Sequence, residues 1–275
     1  MKKNWLKNKT VIISGASGGI GFNVSKLLIE KFNCKIIAIA RNEIKLNVAK
    51  DSLGDKKDNF IPYPFDVSLK ENWIKFSEYL TENNLVPDVL INNAGFMLPF
   101  LRYENYSDNE LEEIIDTNLK SVLYATKILL PLIKRSPTPA IINVASAAGL
   151  CAVVGESLYC TTKFAVRGFT ETLIQDYKGK IYVAGVYPGF VKTNILNCMS
   201  INDKENSLIQ KLMLPVEKAS KNIVRGMSKR KTRMVMGFDG RSMSMFGRLF
   251  PKFTPSLVRK VLRISKLDIF DDINQ

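Results

Sequence analysis

Three side chains in the middle of the chain have types and a spacing that suit proton transfer. Ser146 follows the apolar run 140–145, and Tyr159 and Lys163 come after it, four residues apart. A helix beginning at Ser157 would place the phenol and the ammonium on one face, one turn apart. A cation near a phenol favours the phenolate, which lowers a pKa of about 10 toward working pH. The pattern predicts an acid–base site, although the same spacing also occurs on ordinary amphipathic helix faces.

A glycine-rich turn near the N-terminus predicts a site for a phosphate group. The β-branched run 10–14 leads into Gly15, Gly19 and Gly21, and an apolar helical pattern follows. A strand, a glycine turn and a helix in this order bring backbone N–H groups and a helix N-terminus up to a pyrophosphate. A plain glycine turn is the alternative, because a glycine motif alone is weak evidence.

Seven short apolar runs predict strands. A long helical pattern covers 108–132, and a further helix is expected from Ser157 onward. The predicted strands are 10–14, 35–40, 59–64, 88–92, 140–145, 181–187 and 232–237.

Taken together, these motifs resemble those of the short-chain dehydrogenase/reductase family, in the family's own order. The resemblance covers about residues 5–240 and implies a single doubly wound, Rossmann-like α/β domain with a seven-stranded parallel sheet. That domain is expected to occupy 1–240, and a basic amphipathic helical extension is expected over 241–275. The resemblance is carried by Ser14-Gly15 to Gly21, Asp66-Val67, Asn92-Asn93-Ala94-Gly95, Asn118, Ser146, Tyr159, Lys163, Pro188-Gly189 and Thr193.

The resemblance also implies the roles of individual residues. Ser146 would hold the substrate oxygen, Tyr159 would protonate it, and Lys163 would keep the phenol acidic and bind the nicotinamide ribose. Asn118 would interrupt the long helix so that its backbone carbonyl holds a water, with a polar surface residue as the alternative. For Asp66 a helix cap is a second interpretation. The implied cofactor-binding residues are Gly15, Ser17, Gly19, Ile20, Gly21, Arg41, Asp66, Val67, Asn93, Ala94, Gly95, Tyr159, Lys163, Pro188, Gly189, Val191 and Thr193.

The residue after the second predicted strand bears on the choice of cofactor. An acidic side chain there binds the ribose 2′-hydroxyl of NAD, whereas Arg41 suits the 2′-phosphate of NADP. No carboxylate is expected near enough to repel that phosphate, so NADP(H) is favoured over NAD(H). A solvent-exposed helix start is the alternative for Arg41. Many NADP-preferring relatives carry a second basic residue in the glycine turn, where this chain has Gly18.

The composition excludes several other chemistries. The 275-residue chain has no histidine, which excludes Ser-His-Asp, Cys-His and histidine-bound metal mechanisms, and no metal site is expected. The four cysteines lack Cys-x-x-Cys pairing and are interpreted as free thiols. The apolar run near the start is too short for a signal peptide, and no apolar segment approaches the roughly twenty residues that span a bilayer. A cytoplasmic protein is expected.

Most of the positive charge lies near the C-terminus. Between Lys229 and Lys266 there are eleven Lys or Arg and one Asp, in a chain of formal net charge +14. Apolar residues recur there at helical spacing over 246–262, with Thr254 and Pro255 as the N-cap and first residue of a second helix. Such helices either pack on the enzyme body or lie peripherally on an anionic membrane, and contact with nucleic acid is the least favoured.

The expected function is hydride transfer between NADP(H) and a small-molecule carbonyl or alcohol. Apolar residues in 194–214 predict a lid and favour a hydrophobic or lipid-like substrate, although they would also suit a core helix. A fatty-acid-type 3-oxoacyl reductase and a non-catalytic NADP(H)-sensing protein are the alternatives. A homodimer is expected, because relatives pair through the helices that here contain Asn118 and Tyr159.

Overall fold

The computed structural model describes residues 5–193 and 213–265, with side chains up to residue 260. One parallel sheet is built from β1 Thr10–Ser14, β2 Lys35–Ala40, β3 Phe60–Pro64, β4 Val89–Asn92, β5 Ala140–Val144, β6 Tyr182–Pro188 and β9 Arg233–Met236. Their spatial order is β3-β2-β1-β4-β5-β6-β9. A separate parallel pair joins β7 Val191–Lys192 to β8 Leu214–Pro215. The predicted Rossmann-like sheet of seven strands is confirmed.

Each sheet strand matches a run predicted from the sequence, and the ends differ by at most one residue. In the centre of the sheet, Val11 of β1 lies opposite Ile36 of β2 and Val89 of β4. All three side chains are fully buried. A parallel sheet is covered on both faces, so its strands read as continuous apolar runs, which is why local sequence locates them well.

Helices cover both faces of the sheet. On one face Leu28 and Ile223 pack against it, and on the other face Trp73, Leu129 and Leu173 do so. The helices are α1 Gly19–Phe32, α2 Glu43–Asp51, α3 Lys70–Glu82, α4 Asp108–Ile115, α5 Ser121–Ile133, α6 Ser157–Asp176, α7 Val216–Ser228, α8 Phe238–Leu249 and α9 Thr254–Ser265. The helix expected from Ser157 therefore begins at that residue.

The long helix predicted over 108–132 is interrupted. A π-helical turn, Asp116–Lys120, separates α4 from α5, and Asn118 lies at its centre. A π-helical turn widens the backbone locally and occurs often at functional sites. The interruption implied for Asn118 is therefore present, and it turns the Asn118 side chain into the protein interior.

The predicted division after residue 240 falls inside α8. A side chain added at Gly240 would meet the backbone of Gly189, and one at Gly247 would meet the Leu150 carbonyl. These glycines let α8 lie close to the end of β6 and to the short 3-10 helix Ala147–Gly149. The first part of the predicted extension is therefore packed on the catalytic body.

The segment between α8 and α9, together with the adjoining residue of α8 and the first turn of α9, leaves a set of apolar side chains exposed. Thr254 is the first residue of α9, and its hydroxyl donates to the Phe250 carbonyl at 2.8 Å, so it does not cap the helix from outside as predicted. The exposed apolar set consists of Leu249, Phe250, Phe253 and Leu257. Across 5–193 and 213–265, every helix is too short or too polar to cross a bilayer.

Two sequence predictions fall on residues that are not described. Most of the predicted lid and Cys198 lie within 194–212, outside the described residues. The cysteines that are described, Cys34, Cys151 and Cys160, are all buried free thiols. In the described part of the chain, no three His, Cys, Asp or Glu side chains form a group that could hold a metal ion.

Candidate active site

A cavity of about 650 Å³ opens at the carboxyl ends of the central strands, where ligands bind in open α/β sheets. Most residues proposed from the sequence line it. Gly21, Asp66 and Asn118 are the ones that do not. The predicted residues in its walls are Gly15, Ser17, Gly19, Ile20, Arg41, Val67, Asn93, Ala94, Gly95, Ser146, Tyr159, Lys163, Pro188, Gly189, Val191 and Thr193.

The glycine turn after β1 forms one end of the cavity. Gly15 and Gly19 have φ of +68° and +53°, in the left-handed region that favours glycine. A Cβ on Gly21 would overlap the Gly15 carbonyl and crowd the Asn93 amide. Glycine at these positions therefore lets α1 start directly against the strand, with its N-terminus at the cavity.

Ser14, at the end of β1, ties the glycine turn to the turn after β4. Its hydroxyl accepts hydrogen bonds from the backbone N–H groups of Asn93 and Ala94 at 3.0 and 3.1 Å. The Asn93 side chain donates in return to the carbonyls of Ser14 and Gly15. Ser14 was not among the predicted site residues, because a serine at a strand end gives no sign of a partner 79 positions away.

Asn118 fixes the same turn from the other side. Its side chain accepts from the Phe96 N–H at 2.9 Å and donates to the Phe96 carbonyl at 2.8 Å. It is fully buried, so the alternative of a polar surface residue is wrong. A side chain on Gly95 would collide with Asn118 and approach the Lys163 ammonium, so this glycine keeps the three segments close together.

Ser146, Tyr159 and Lys163 meet in the middle of the cavity. Ser146 follows β5, and its hydroxyl accepts from the Ala148 N–H at 3.1 Å. Tyr159 and Lys163 are 8% and 4% exposed, and the Lys163 Nζ lies 5.4 Å from the centre of the Tyr159 ring. The same Nζ donates a 3.5 Å hydrogen bond to the Val144 carbonyl. The structure therefore brings together the three side chains that the sequence singled out.

Burial shifts the pKa of both titratable groups at this site. Burial raises the pKa of Tyr159, and the hydrogen bond with Ser146 lowers it only in part. Burial also lowers the pKa of Lys163 to about 8. Burial opposes the predicted lowering of the phenol pKa by the ammonium, because the loss of hydration disfavours the phenolate. At neutral pH the phenol is protonated.

The carboxyl end of β2 holds two cations and two carboxylates. The Arg41 Nη1 lies 3.8 Å from an Asp66 carboxylate oxygen and 3.9 Å from one of Glu113. The expectation that no carboxylate lies nearby is therefore wrong. Lys45 also lines the cavity, one helical turn after Arg41. Its spacing from Arg41 was the available signal for this second basic residue, which the sequence-based prediction missed.

Asp66 orders the turn before α3, which matches in part its second interpretation as a helix cap. One carboxylate oxygen accepts from the N–H and the hydroxyl of Ser68, at 2.9 and 2.7 Å. This bond closes the turn ahead of α3, whose N-cap is Leu69. Asp66 therefore orders the turn that carries Val67 into the cavity wall.

The loop after β6 closes the cavity against α8. Pro188, Gly189, Val191 and Thr193 line it. Asp239 of α8, which the sequence-based prediction missed, accepts from the Phe190 N–H at 2.6 Å and also reaches the cavity. This bond holds the loop to α8, although the sequence-based prediction assigned most of that helix to the C-terminal extension.

Glu156 adds a carboxyl group to a largely apolar part of the cavity lining. Glu156, immediately before α6, is 2% exposed and lines the cavity, and it was not predicted as a site residue. The apolar side chains that share this wall are Phe96, Met97, Phe100, Val153 and Met243. The cavity thus combines a glycine turn, a protonated phenol and an apolar chamber.

Comparisons with known proteins agree with this architecture. Residues 9–204 match the family model for the short chain dehydrogenases. An uncharacterized oxidoreductase of Staphylococcus saprophyticus is 35% identical, over 74% of this chain and 83% of its own length. A probable NADP-dependent dehydrogenase of Haemophilus influenzae is 32% identical, over 67% of this chain and 72% of its own length. The closed form of a serine dehydrogenase complexed with NADP⁺ superimposes with a TM-score of 0.73 at 28% identity, covering 82% of this chain and 94% of that one.

The fold and the cavity define a Rossmann-type oxidoreductase. The chain belongs to the short-chain dehydrogenase/reductase family. It is an NAD(P)-dependent enzyme that acts on CH–OH or C=O groups.

Proposed function

We propose that the protein is an NADP(H)-dependent carbonyl reductase or alcohol dehydrogenase with a hydrophobic or lipid-like substrate. One observation carries the proposal. The buried Tyr159 hydroxyl, which burial keeps protonated, bonds with Ser146 in a cavity that joins the glycine turn to an apolar wall. A protonated phenol in a cavity that also contains the glycine turn supports reduction of a carbonyl group.

The residues present fit a dinucleotide. Among the described residues, no atom lies within 4 Å of the position that a Cβ on Gly18 would take, so the glycine turn leaves open space there, and the N-terminus of α1 lies at the cavity, where it suits a pyrophosphate. Asp66 and Val67 would hold adenine, Asn93 to Gly95 would border the nicotinamide ribose, and Thr193 would bond the carboxamide. When bound, the nicotinamide supplies or accepts the hydride.

The chain's own groups would manage the proton and the oxygen. The Ser146 hydroxyl would hold the substrate oxygen, and the Tyr159 hydroxyl would donate a proton to it as negative charge develops. Lys163 would bind the ribose hydroxyls, and its ammonium would stabilise the phenolate left after proton donation. Burial raises the pKa of Tyr159, so the phenol holds the proton that reduction of a carbonyl group requires.

NADP(H) is the proposed cofactor. Arg41 and Lys45 both border the cavity at the end of β2, and two cations suit a 2′-phosphate better than a ribose hydroxyl. The carboxylates of Asp66 and Glu113 count against this preference, because they already contact the Arg41 guanidinium. The preference therefore depends on the phosphate displacing these long, exposed contacts, which contribute little in water.

Hydride transfer can be tested directly. The enzyme is incubated with hydrophobic ketones and aldehydes and with NADPH deuterated at the transferring carbon, and the products are analysed by mass spectrometry. Deuterium on the carbinol carbon is the expected result. Tight NADPH binding without consumption across the panel would contradict the proposal and would favour the non-catalytic sensing alternative.

We further propose a cytoplasmic homodimer that contacts anionic membranes peripherally. The dimer would pair the helices around Asn118 with α6, on whose surface Phe164 is exposed. The membrane contact would use the exposed apolar set of the C-terminal helices together with their basic residues. Sedimentation of the intact chain tests the dimer, and a stable monomer or tetramer would contradict it.

A further inference from the structure

Glu156 is a buried carboxyl group without a hydrogen-bond partner. Among the described residues, nothing bonds to either of its carboxylate oxygens, although both are shielded from solvent. The residue is 2% exposed and contributes to the lining of the cavity. An unpaired buried carboxyl group is costly, because it gives up hydration and receives nothing in return.

The neighbouring groups that could pair with Glu156 are bonded elsewhere. The Tyr106 hydroxyl bonds to the carbonyls of Gly155 and Pro99, at 2.6 and 2.9 Å. Cys160 Sγ accepts from the Val153 N–H at 3.3 Å and lies 3.8 Å from the Val153 carbonyl. Tyr159 bonds with Ser146, and the Lys163 Nζ bonds to the Val144 carbonyl. The fold therefore leaves the Glu156 carboxyl group unpaired in a largely apolar part of the cavity lining.

A role confined to α6 does not account for this residue. A carboxylate near a helix N-terminus gains from the helix dipole, and Glu156 precedes the first residue of α6. However, its side chain makes no capping bond to the first N–H groups of that helix. Burial also raises its pKa well above the ordinary value, so the dipole does not offset the loss of water.

We propose that Glu156 determines substrate specificity by binding a hydrogen-bond donor, a hydroxyl or an ammonium group, on an otherwise apolar carbonyl substrate. The inference rests on the proposed function. Glu156 lies three residues before Tyr159 and both residues line the cavity, so the donor would be carried on the same substrate as the reacting carbonyl group. A hydroxyl can satisfy one carboxyl oxygen, whereas an ammonium can satisfy both and also supply a compensating charge.

A rigid series of ketones tests the inference. Acetophenone bearing ethyl, methoxymethyl, hydroxymethyl or aminomethyl at position 3 changes the donor and keeps the carbonyl fixed. With NADPH, we expect the two donor compounds to exceed the ethyl compound in kcat/KM by about tenfold or more, and the methoxymethyl compound to behave like ethyl. Equal values across the series for the wild-type enzyme would overturn the inference.

Two substitutions assign the preference to the carboxyl group. Glu156→Leu is expected to abolish the preference for both donors, whereas Glu156→Gln is expected to keep a preference for hydroxymethyl and lose that for aminomethyl. The readout is the ratio of kcat/KM for a donor compound to kcat/KM for the ethyl compound, taken within each enzyme. A general loss of rate therefore cancels. Glu217→Gln, an exposed carboxylate outside the cavity, is the matched control and should keep the wild-type ratios. Donor preference that persists in Glu156→Leu would overturn the inference.

Binding separates this inference from the proposed function. Calorimetry measures binding of the same ketones to the enzyme with NADP⁺, which cannot reduce them. The donor compounds should exceed the ethyl compound in affinity by the same ratios, without turnover. If no ketone is reduced with NADPH, the proposed function fails, yet the Glu156-dependent binding ratios still decide the inference. Failure of every donor compound to bind would overturn it. A role in the fold alone predicts a lowered Tm for Glu156→Leu together with unchanged ratios.

Discussion

Replacing Lys163 with methionine is expected to stabilise the fold while abolishing turnover. Methionine has a similar volume and no charge, and Lys163 is 4% exposed. A pKa lowered from 10.5 to about 8 corresponds to about 3 kcal/mol of unfavourable burial of the ammonium. Removing that charge should raise the free energy of unfolding by up to about this amount near pH 6.

The pH dependence follows from the direction of the shift. Below about pH 8 the amine is protonated in the native state, and the full cost of burying it is present. Between pH 8 and 10.5 the native amine is neutral while the unfolded amine is still protonated, so the cost falls as pH rises. The advantage of Lys163→Met should therefore be largest at pH 6 and should shrink toward pH 10.

Urea unfolding of the wild type and the variant at pH 6, 8 and 9.5 provides the measurement. Lys127→Met, at an exposed position on α5, serves as the control and should change the free energy of unfolding by less than about 0.5 kcal/mol. A Lys163→Met protein that is less stable than the wild type at pH 6 would refute the reasoning. A difference that does not vary with pH would do the same.

Arg41→Ala is expected to weaken NADPH binding by about tenfold or more and NADH binding far less, as measured by calorimetry; equal losses would rule out a 2′-phosphate contact. Gly21→Ala is expected to cost roughly 1–3 kcal/mol of stability and to weaken both cofactors, because its Cβ would overlap the Gly15 carbonyl. An unchanged Tm would contradict this. Phe250→Ser with Phe253→Ser is expected to reduce flotation with anionic vesicles at low salt, and flotation equal to that of the wild type would remove the membrane role.

Much of the fold could be read from short segments of sequence. Buried parallel strands such as 10–14 and 35–40 are continuous apolar runs, and this property is local. The same holds for the glycine turn and for the start of α6 at Ser157, where residue types fix the backbone over a few positions. The order of these motifs then supplied the doubly wound parallel sheet through the family resemblance, whereas the order of the strands within the sheet was not predicted.

What could not be predicted depends on contacts between distant segments. The carboxylates beside Arg41 come from positions 66 and 113, so no local pattern reveals them. The pKa of Tyr159 is dominated by burial, which depends on the whole domain. Glu156 lies next to the predicted helix, yet only the packing of Tyr106 and Cys160 shows that its carboxyl group is unpaired.

The central claim, that Tyr159 is the proton donor, is tested most directly by Tyr159→Phe, which removes a single oxygen. The measurement is single-turnover oxidation of NADPH with an accepted ketone, alongside NADPH affinity. Tyr79→Phe on α3, outside the cavity walls, is the control. The account predicts a fall of about 100-fold or more in the rate of hydride transfer with a much smaller change in NADPH affinity. A Tyr159→Phe enzyme that reduces the ketone at the wild-type rate would contradict it.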